Sequence, residues 1–165
     1  MTTEGFGVPR RDGGQLALRY ERRYDATPDE VWSAFTEPES IRRWLFADAV
    51  LEPRVGGVFR LTWSENQAGG SVLVWQPPHL LEVEWIETDM RSILRVEISA
   101  SENGALLVLD HRNATLEPAI RIGAGWHAHL DTLGEVLAGR EDAGDGWRRS
   151  YESLRPRYEE LIGGI

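Results

Sequence analysis

The chain has 165 residues, 41% of them apolar, with seven Trp, no Lys, no Cys and a formal charge of −9. That length and apolar content suit one domain with its own core. The missing Cys and Lys exclude disulfides, thiol nucleophiles, thiolate metal sites, Schiff-base lysines and P-loops, and the acidic balance argues against a nucleic-acid partner.

The Arg pairs at 22–23, 42–43 and 148–149 read as solvated faces beside acids. No run of ~18 apolar residues long enough to span a membrane is present. The first fourteen residues lack the apolar core of a signal peptide, so a cytoplasmic location is expected.

In chain order, residues 1–14 are Gly-rich, carry Pro9 and read as a flexible tail before a single domain over 15–165. Alternation over 16–24 places Leu16, Leu18, Tyr20, Arg22 and Tyr24 on one face of a strand. Thr27-Pro28-Asp29-Glu30 is a helix start, with Thr27 as cap, Pro28 at the first helical position and Glu30 completing a capping box. Glu37-Pro38 breaks that helix and opens a second, whose apolar side is Ile41, Trp44 and Leu45.

Six strands are expected next, over 48–52, 58–63, 71–76, 80–86, 92–99 and 105–111. Gly56-Gly57 marks a turn or bulge, 66–70 a turn, Pro77-Pro78 a strand end and Asn103-Gly104 a hairpin. Leu81, Val83 and Trp85 alternate with Glu82 and Glu84, as in an antiparallel sheet with one face covered. From Ile122 the spacing of Trp126, Leu130, Leu133 and Leu137 predicts a helix, with Gly139 at its C-cap. After a link over 142–146, Trp147, Tyr151, Leu154, Tyr158 and Leu161 predict a further helix spanning 144–162, with Pro156 inside it. The order predicts an α+β helix-grip fold, a curved antiparallel sheet wrapped around a long C-terminal helix with two short helices after the first strand.

Ala26-x-Pro28-x-x-Val31-Trp32, Pro38-x-x-Ile41-x-x-Trp44, Gly56-Gly57-x-Phe59, Pro77/Pro78-x-x-Leu81 and Gly125-Trp126-x-x-x-Leu130-x-x-Leu133 form a joint pattern. Over roughly residues 16–140 the chain resembles the activator of heat-shock-protein-90 ATPase-like branch of the START-like (SRPBCC) superfamily. The resemblance implies a cavity between sheet and long helix, often used for hydrophobic small molecules. Polyketide cyclases share the superfamily, so acid–base enzymology in the same cavity is a second expectation. A chaperone-related or homodimeric interaction module is a third, with the segment 144–162 capping the core or forming a dimer contact.

The candidate ligand-binding residues are Arg22, Trp44, Phe59, Trp63, Trp75, Trp85, His111, Trp126 and His129. The aromatic residues are large, face inward and are numerous enough to favour a cavity. Arg22, His111 and His129 are polar groups on apolar faces. A buried Arg needs a carboxylate from the protein or from a ligand, and each His is either a satisfied core group or one that orients a ligand. His127 and His129 point ~200° apart on a helix, so they make no metal pair, and none is expected elsewhere. Asp110 and His111 face opposite ways on a strand, and no nucleophile-elbow motif surrounds Ser64, Ser71, Ser92 or Ser99. No catalytic residue and no cofactor are assigned. The leading expectation is a binding protein holding a hydrophobic small molecule between sheet and long helix. Arg22, His111 and His129 would sit at a carboxylate or phenol end, and Trp63, Trp85 and Trp126 along the apolar part.

Overall fold

A computed structural model describes residues 5–140, 144 and 146–165. Two strands open the fold, β1 (Val8–Asp12) and β2 (Gln15–Tyr24), followed by helices α1 (Pro28–Thr36) and α2 (Pro38–Leu45). The chain continues through β3 (Asp48–Leu51), β4 (Val58–Thr62), β5 (Gln67–Gln76), β6 (Leu80–Glu87), β7 (Met90–Ser101) and β8 (Gly104–Ala114). It closes with α3 (Leu116–Leu137) and α4 (Trp147–Gly163). The eight strands form one antiparallel sheet in the order β1-β2-β8-β7-β6-β5-β4-β3. The first helix pair therefore carries the chain from β2 to the far edge, and α3 returns across the covered face. This is the helix grip that the sequence predicts.

Local chemistry accounts for the elements. Thr27 Oγ1 accepts the Glu30 amide, and Glu30 Oε2 accepts the Thr27 amide, closing the capping box on α1. On β6 and β7, Leu81, Val83 and Trp85 and then Leu94, Val96 and Ile98 are buried, while Glu82, Glu84, Arg95 and Glu97 face outward. Gly139 takes φ 88° after α3, the left-handed cap that its glycine suits.

Three expectations change. Residues 8–12, expected in a flexible tail, are β1, paired with Leu18 and its neighbours on β2. Val-Pro-Arg-Arg-Asp has no apolar alternation, and the strand is held by ladder bonds and by Arg10 to Asp110 at 2.9 Å. Residues 67–70, expected in a turn, belong to β5, because Gly69 and Gly70 let strands approach closely. A Cβ on Gly69 would strike the Phe59 carbonyl, and one on Gly70 would lie 2.6 Å from Glu84 Cβ. α3 begins at Leu116 rather than Ile122, since Pro118 lies in a first turn that needs no amide donor. The expected link over 142–146 lies largely outside the described residues.

α4 packs along α3 through Leu154, Tyr158 and Ile162, all buried. Gly123 makes that approach possible, since a Cβ there would lie 2.6 Å from Tyr158 Cδ1. Gly125, two residues further along the same helix and so about 200° around its axis, meets nothing within 4 Å. Gly123→Ala is expected to destabilise the protein by about 1–2 kcal/mol through overpacking, and Gly125→Ala to stabilise it by up to ~1 kcal/mol through helix propensity. Urea midpoints with unchanged slopes would check both signs.

Candidate functional site

An aromatic cleft opens between α3, the end of β6, the α2 terminus and the first turn of α4, with a volume of about 350 Å³. Its walls are aromatic. Ring centroids run in a continuous chain: Trp63 to Trp85 at 6.4 Å, Trp85 to Trp126 at 5.5 Å, Trp126 to His129 at 6.4 Å, His129 to Trp147 at 4.7 Å, and Trp147 stacked on Tyr151 at 5.2 Å. Leu45, Ile122 and Gly125 complete the apolar lining, and Asn66, Glu87 and Arg121 bring polar groups.

Three of the indoles are fixed by hydrogen bonds, whereas the buried Nε1 of Trp147 has no partner among the described residues. Trp63 Nε1 donates to the Leu45 carbonyl at 2.8 Å, tying β4's end to α2. Trp85 Nε1 donates to Glu87 Oε1 at 2.6 Å. Trp126 Nε1 donates to His111 Nδ1 at 2.9 Å. An indole N–H can only donate, so His111 carries its proton on Nε2 and gives it to Ser92 Oγ at 2.7 Å. Ser92 Oγ in turn donates to the Trp85 carbonyl at 2.9 Å. His111 is fully satisfied beneath the cleft, and burial, with Arg121 nearby, pushes its pKa down to about 3.

That proton order also settles the chemistry of Ser92. A nucleophilic Ser needs an unprotonated imidazole nitrogen facing it. Here the facing nitrogen holds the proton, and the other nitrogen accepts from Trp126 rather than donating to a carboxylate. His129 is placed differently. Its Nδ1 is bound to the Trp44 carbonyl at 2.9 Å, so that nitrogen carries the proton. Burial lowers its pKa to about 4, against the opposing effect of that bond. Nε2 remains an acceptor, with no protein partner among the described residues.

Of the nine sequence-derived candidates, Trp63, Trp85, Trp126 and His129 line the cleft, and His111 supports it from below. The other four lie elsewhere. Trp44 is fully buried, with its Nε1 on the Ala34 carbonyl at 2.8 Å and Phe35 against its ring. Phe59 is core beneath Trp85. Trp75 packs on Trp32 at 5.1 Å, away from the opening. Arg22, expected at a ligand's acidic end, pairs with Asp131 at 2.6 Å and donates to the Gly5 carbonyl at 2.7 Å. A protein carboxylate compensates the buried charge, so Arg22 ties the N-terminal segment to α3.

Sequence reasoning missed Glu87, Arg121, Gly125, Trp147 and Tyr151 as lining residues. Trp147 and Tyr151 had a legible signal: they start an aromatic stripe on the last helix. Glu87 and Arg121 are 34 residues apart, and their contact at 3.0 Å exists only in the fold. Among the described residues no group of three His, Asp or Glu side chains could hold a metal ion. No helix is long and apolar enough to cross a membrane.

A family model described as activator of Hsp90 ATPase homolog 1-like protein matches residues 25–138. The crystal structure of CalU16 from Micromonospora echinospora is 30% identical, with a TM-score of 0.76 over 94% of this chain and 95% of that one. A solution structure of the protein encoded by BPP1335 from Bordetella parapertussis is 25% identical, with a TM-score of 0.72 over 97% and 95%. DynU16, from the dynemicin biosynthetic locus, shares the fold at 18% identity, with a TM-score of 0.69 over 77% of this chain and 49% of that one. No curated protein matches the sequence.

Because the pKa of His111 is depressed in the fold, its neutral form stabilises the protein above the unfolded value of ~6.5, and that contribution is lost as pH falls from there toward about 3. The slope is up to ~1.4 kcal/mol per pH unit for this one proton. His111→Gln is expected to be less stable at pH 7 but to lose stability less steeply between pH 6.5 and 4.5. Denaturant unfolding at stepped pH measures both, and an unchanged slope would show that His111 does not titrate with unfolding.

Proposed function

The chain belongs to the activator of Hsp90 ATPase homolog 1-like family, and from that premise we propose that it is a small-molecule binding protein holding a flat, hydrophobic ligand in the aromatic cleft. The observation that carries the reading is the unbroken chain of rings from Trp63 to Tyr151 around an open space of about 350 Å³. That volume lies at the low end of ligand sites, which are mostly apolar with a few placed polar groups. Gly125 supports it further: the helix face toward the cleft has no side chain at this position, and nothing lies within 4 Å of where a Cβ would be.

The enzymatic alternative rests on His129 as the proton acceptor in the cleft. A pKa of about 4 makes it a weak base at neutral pH. Ser92 and His111 are sealed in the opposite proton order. Binding is the better-supported use of the same space. The alternative of dimerisation through the last helix is weakened because Leu154, Tyr158 and Ile162 are already buried within the chain.

Gly125→Leu tests the reading, since it fills the cleft without meeting other atoms at its Cβ. Titration of N-phenyl-1-naphthylamine is expected to give saturable fluorescence enhancement with the wild type. Gly125→Leu should bind at least about tenfold more weakly, corresponding to ~1.4 kcal/mol, with its melting temperature unchanged or higher. Trp75→Leu, away from the cleft, should keep wild-type affinity. Equal affinity in the wild type and Gly125→Leu would remove this cleft as the site.

A further inference from the structure

The polar corner of the cleft carries a charge that bears on what the ligand's polar end must be. Glu87, at the end of β6, is buried, with its side chain 7% exposed. Its Oε1 accepts from Trp85 Nε1 at 2.6 Å, and its Oε2 accepts from Arg121 at 3.0 Å. The other terminal nitrogen of Arg121 donates to Asp89 at 3.3 Å. One guanidinium therefore faces two carboxylates, Glu87 in the cleft lining and Asp89 outside it at 59% side-chain exposure, and the three groups together carry a formal charge of −1.

The rest of the lining adds no positive charge. Arg121 is the only strong cation among the described residues lining the cleft. Arg155, which reaches the Tyr151 hydroxyl at 3.3 Å, is paired with Glu117 at 3.6 Å and Glu159 at 3.5 Å. Arg22 is held by Asp131 on another face of α3. Aromatic faces attract cations and disfavour carboxylates, most of all where water is scarce.

We propose that this cleft selects an apolar ligand bearing a protonated amine, with the amine directed to the Glu87–Arg121–Asp89 corner and the apolar body along the ring chain. The inference rests on the binding reading above and deepens it. It reverses the acidic ligand that Arg22 suggested in the sequence. An acid would meet a guanidinium that already has two partners, whereas an amine would meet the Glu87 carboxylate beside indole faces, with Asp89 outside the lining drawing on the same guanidinium.

Three anthracenes that share one ring system separate charge from shape: 9-(aminomethyl)anthracene as cation, 9-anthracenemethanol as neutral, and anthracene-9-carboxylate as anion. Affinities would be read by fluorescence at pH 7 and moderate salt. The wild type is expected to bind the cation roughly tenfold more tightly than the neutral probe, and the anion weakest. Glu87→Gln keeps an acceptor for Trp85 and removes the charge, and should erase the preference for the cation. Asp89→Asn, at an exposed position, should reduce it in the same direction without affecting folding. Equal binding of cation and neutral probe would overturn the inference and leave the binding reading standing. Tightest binding of the carboxylate would overturn it in favour of Arg121 as an acid receptor that exchanges Asp89 for ligand. No binding of any probe, with folding intact, would overturn the binding reading and this inference together.

Discussion

The hydrogen bond from the Trp126 indole to His111 is the contact on which the site depends. It joins the long helix to the floor of the sheet at a point where both partners are buried, so neither can turn to water. A buried donor left without its acceptor costs ~1–3 kcal/mol, which holds Trp126 in one orientation. The same bond sets the proton on His111 Nε2, which places Ser92 against the Trp85 carbonyl. Two neighbouring walls of the cleft thus share one polar chain across β6, β7, β8 and α3. A group that looks like acid–base machinery in sequence is a scaffold whose protons are already committed.

The cleft has a second half that lies outside the family's matched segment, residues 25–138. Trp147 and Tyr151 come from α4, and α4 is anchored by Tyr158. That hydroxyl accepts the Gly7 amide at 2.7 Å and meets His127 Nδ1 at 2.9 Å. Phe6 packs edge-on to His127 at 4.5 Å and lies under the Arg157 guanidinium at 4.3 Å. Arg22 holds the Gly5 carbonyl beside it. The N-terminal segment, α3 and α4 therefore lock one another, and the last helix sets where the cleft ends. Two histidines two residues apart on α3 serve opposite purposes: His127 joins this lock and His129 faces the cleft.

Charge placement explains why arginine counting misleads here. Arg22 looked like a ligand group because it shares a strand face with Leu18 and Tyr20, and it is indeed mostly buried, at 12% side-chain exposure. Its partner is Asp131, 109 residues along the chain. Arg121 showed no such signal, since it sits near the start of a helix among mixed residues, yet it is the cation that reaches the cleft. In both cases the residue type was informative and the partner decided the role.

Elements with a strong local signal were legible in the sequence. The capping box at Thr27, the alternation of Leu81 to Trp85 and of Leu94 to Ile98, the Asn103-Gly104 hairpin and the helical spacing of Trp126 to Leu137 each follow from backbone sterics and one-sided burial, which act within a few residues. β1 and the start of β5 were not legible, because their reasons are non-local: a ladder with β2, and glycines that admit the backbone of β4 and the side chain of Glu84. The same division runs through the site. Sequence identified aromatic residues and polar groups on apolar faces, and of these Trp63, Trp85, Trp126 and His129 line the cleft. Only the tertiary structure decided that Trp44, Phe59 and Trp75 are packing, that Arg22 is neutralised, and that Glu87 and Arg121 form the polar corner. The physical reason is that an inward face is set by periodicity along the chain, whereas filling a core or bordering a space depends on what comes to lie opposite.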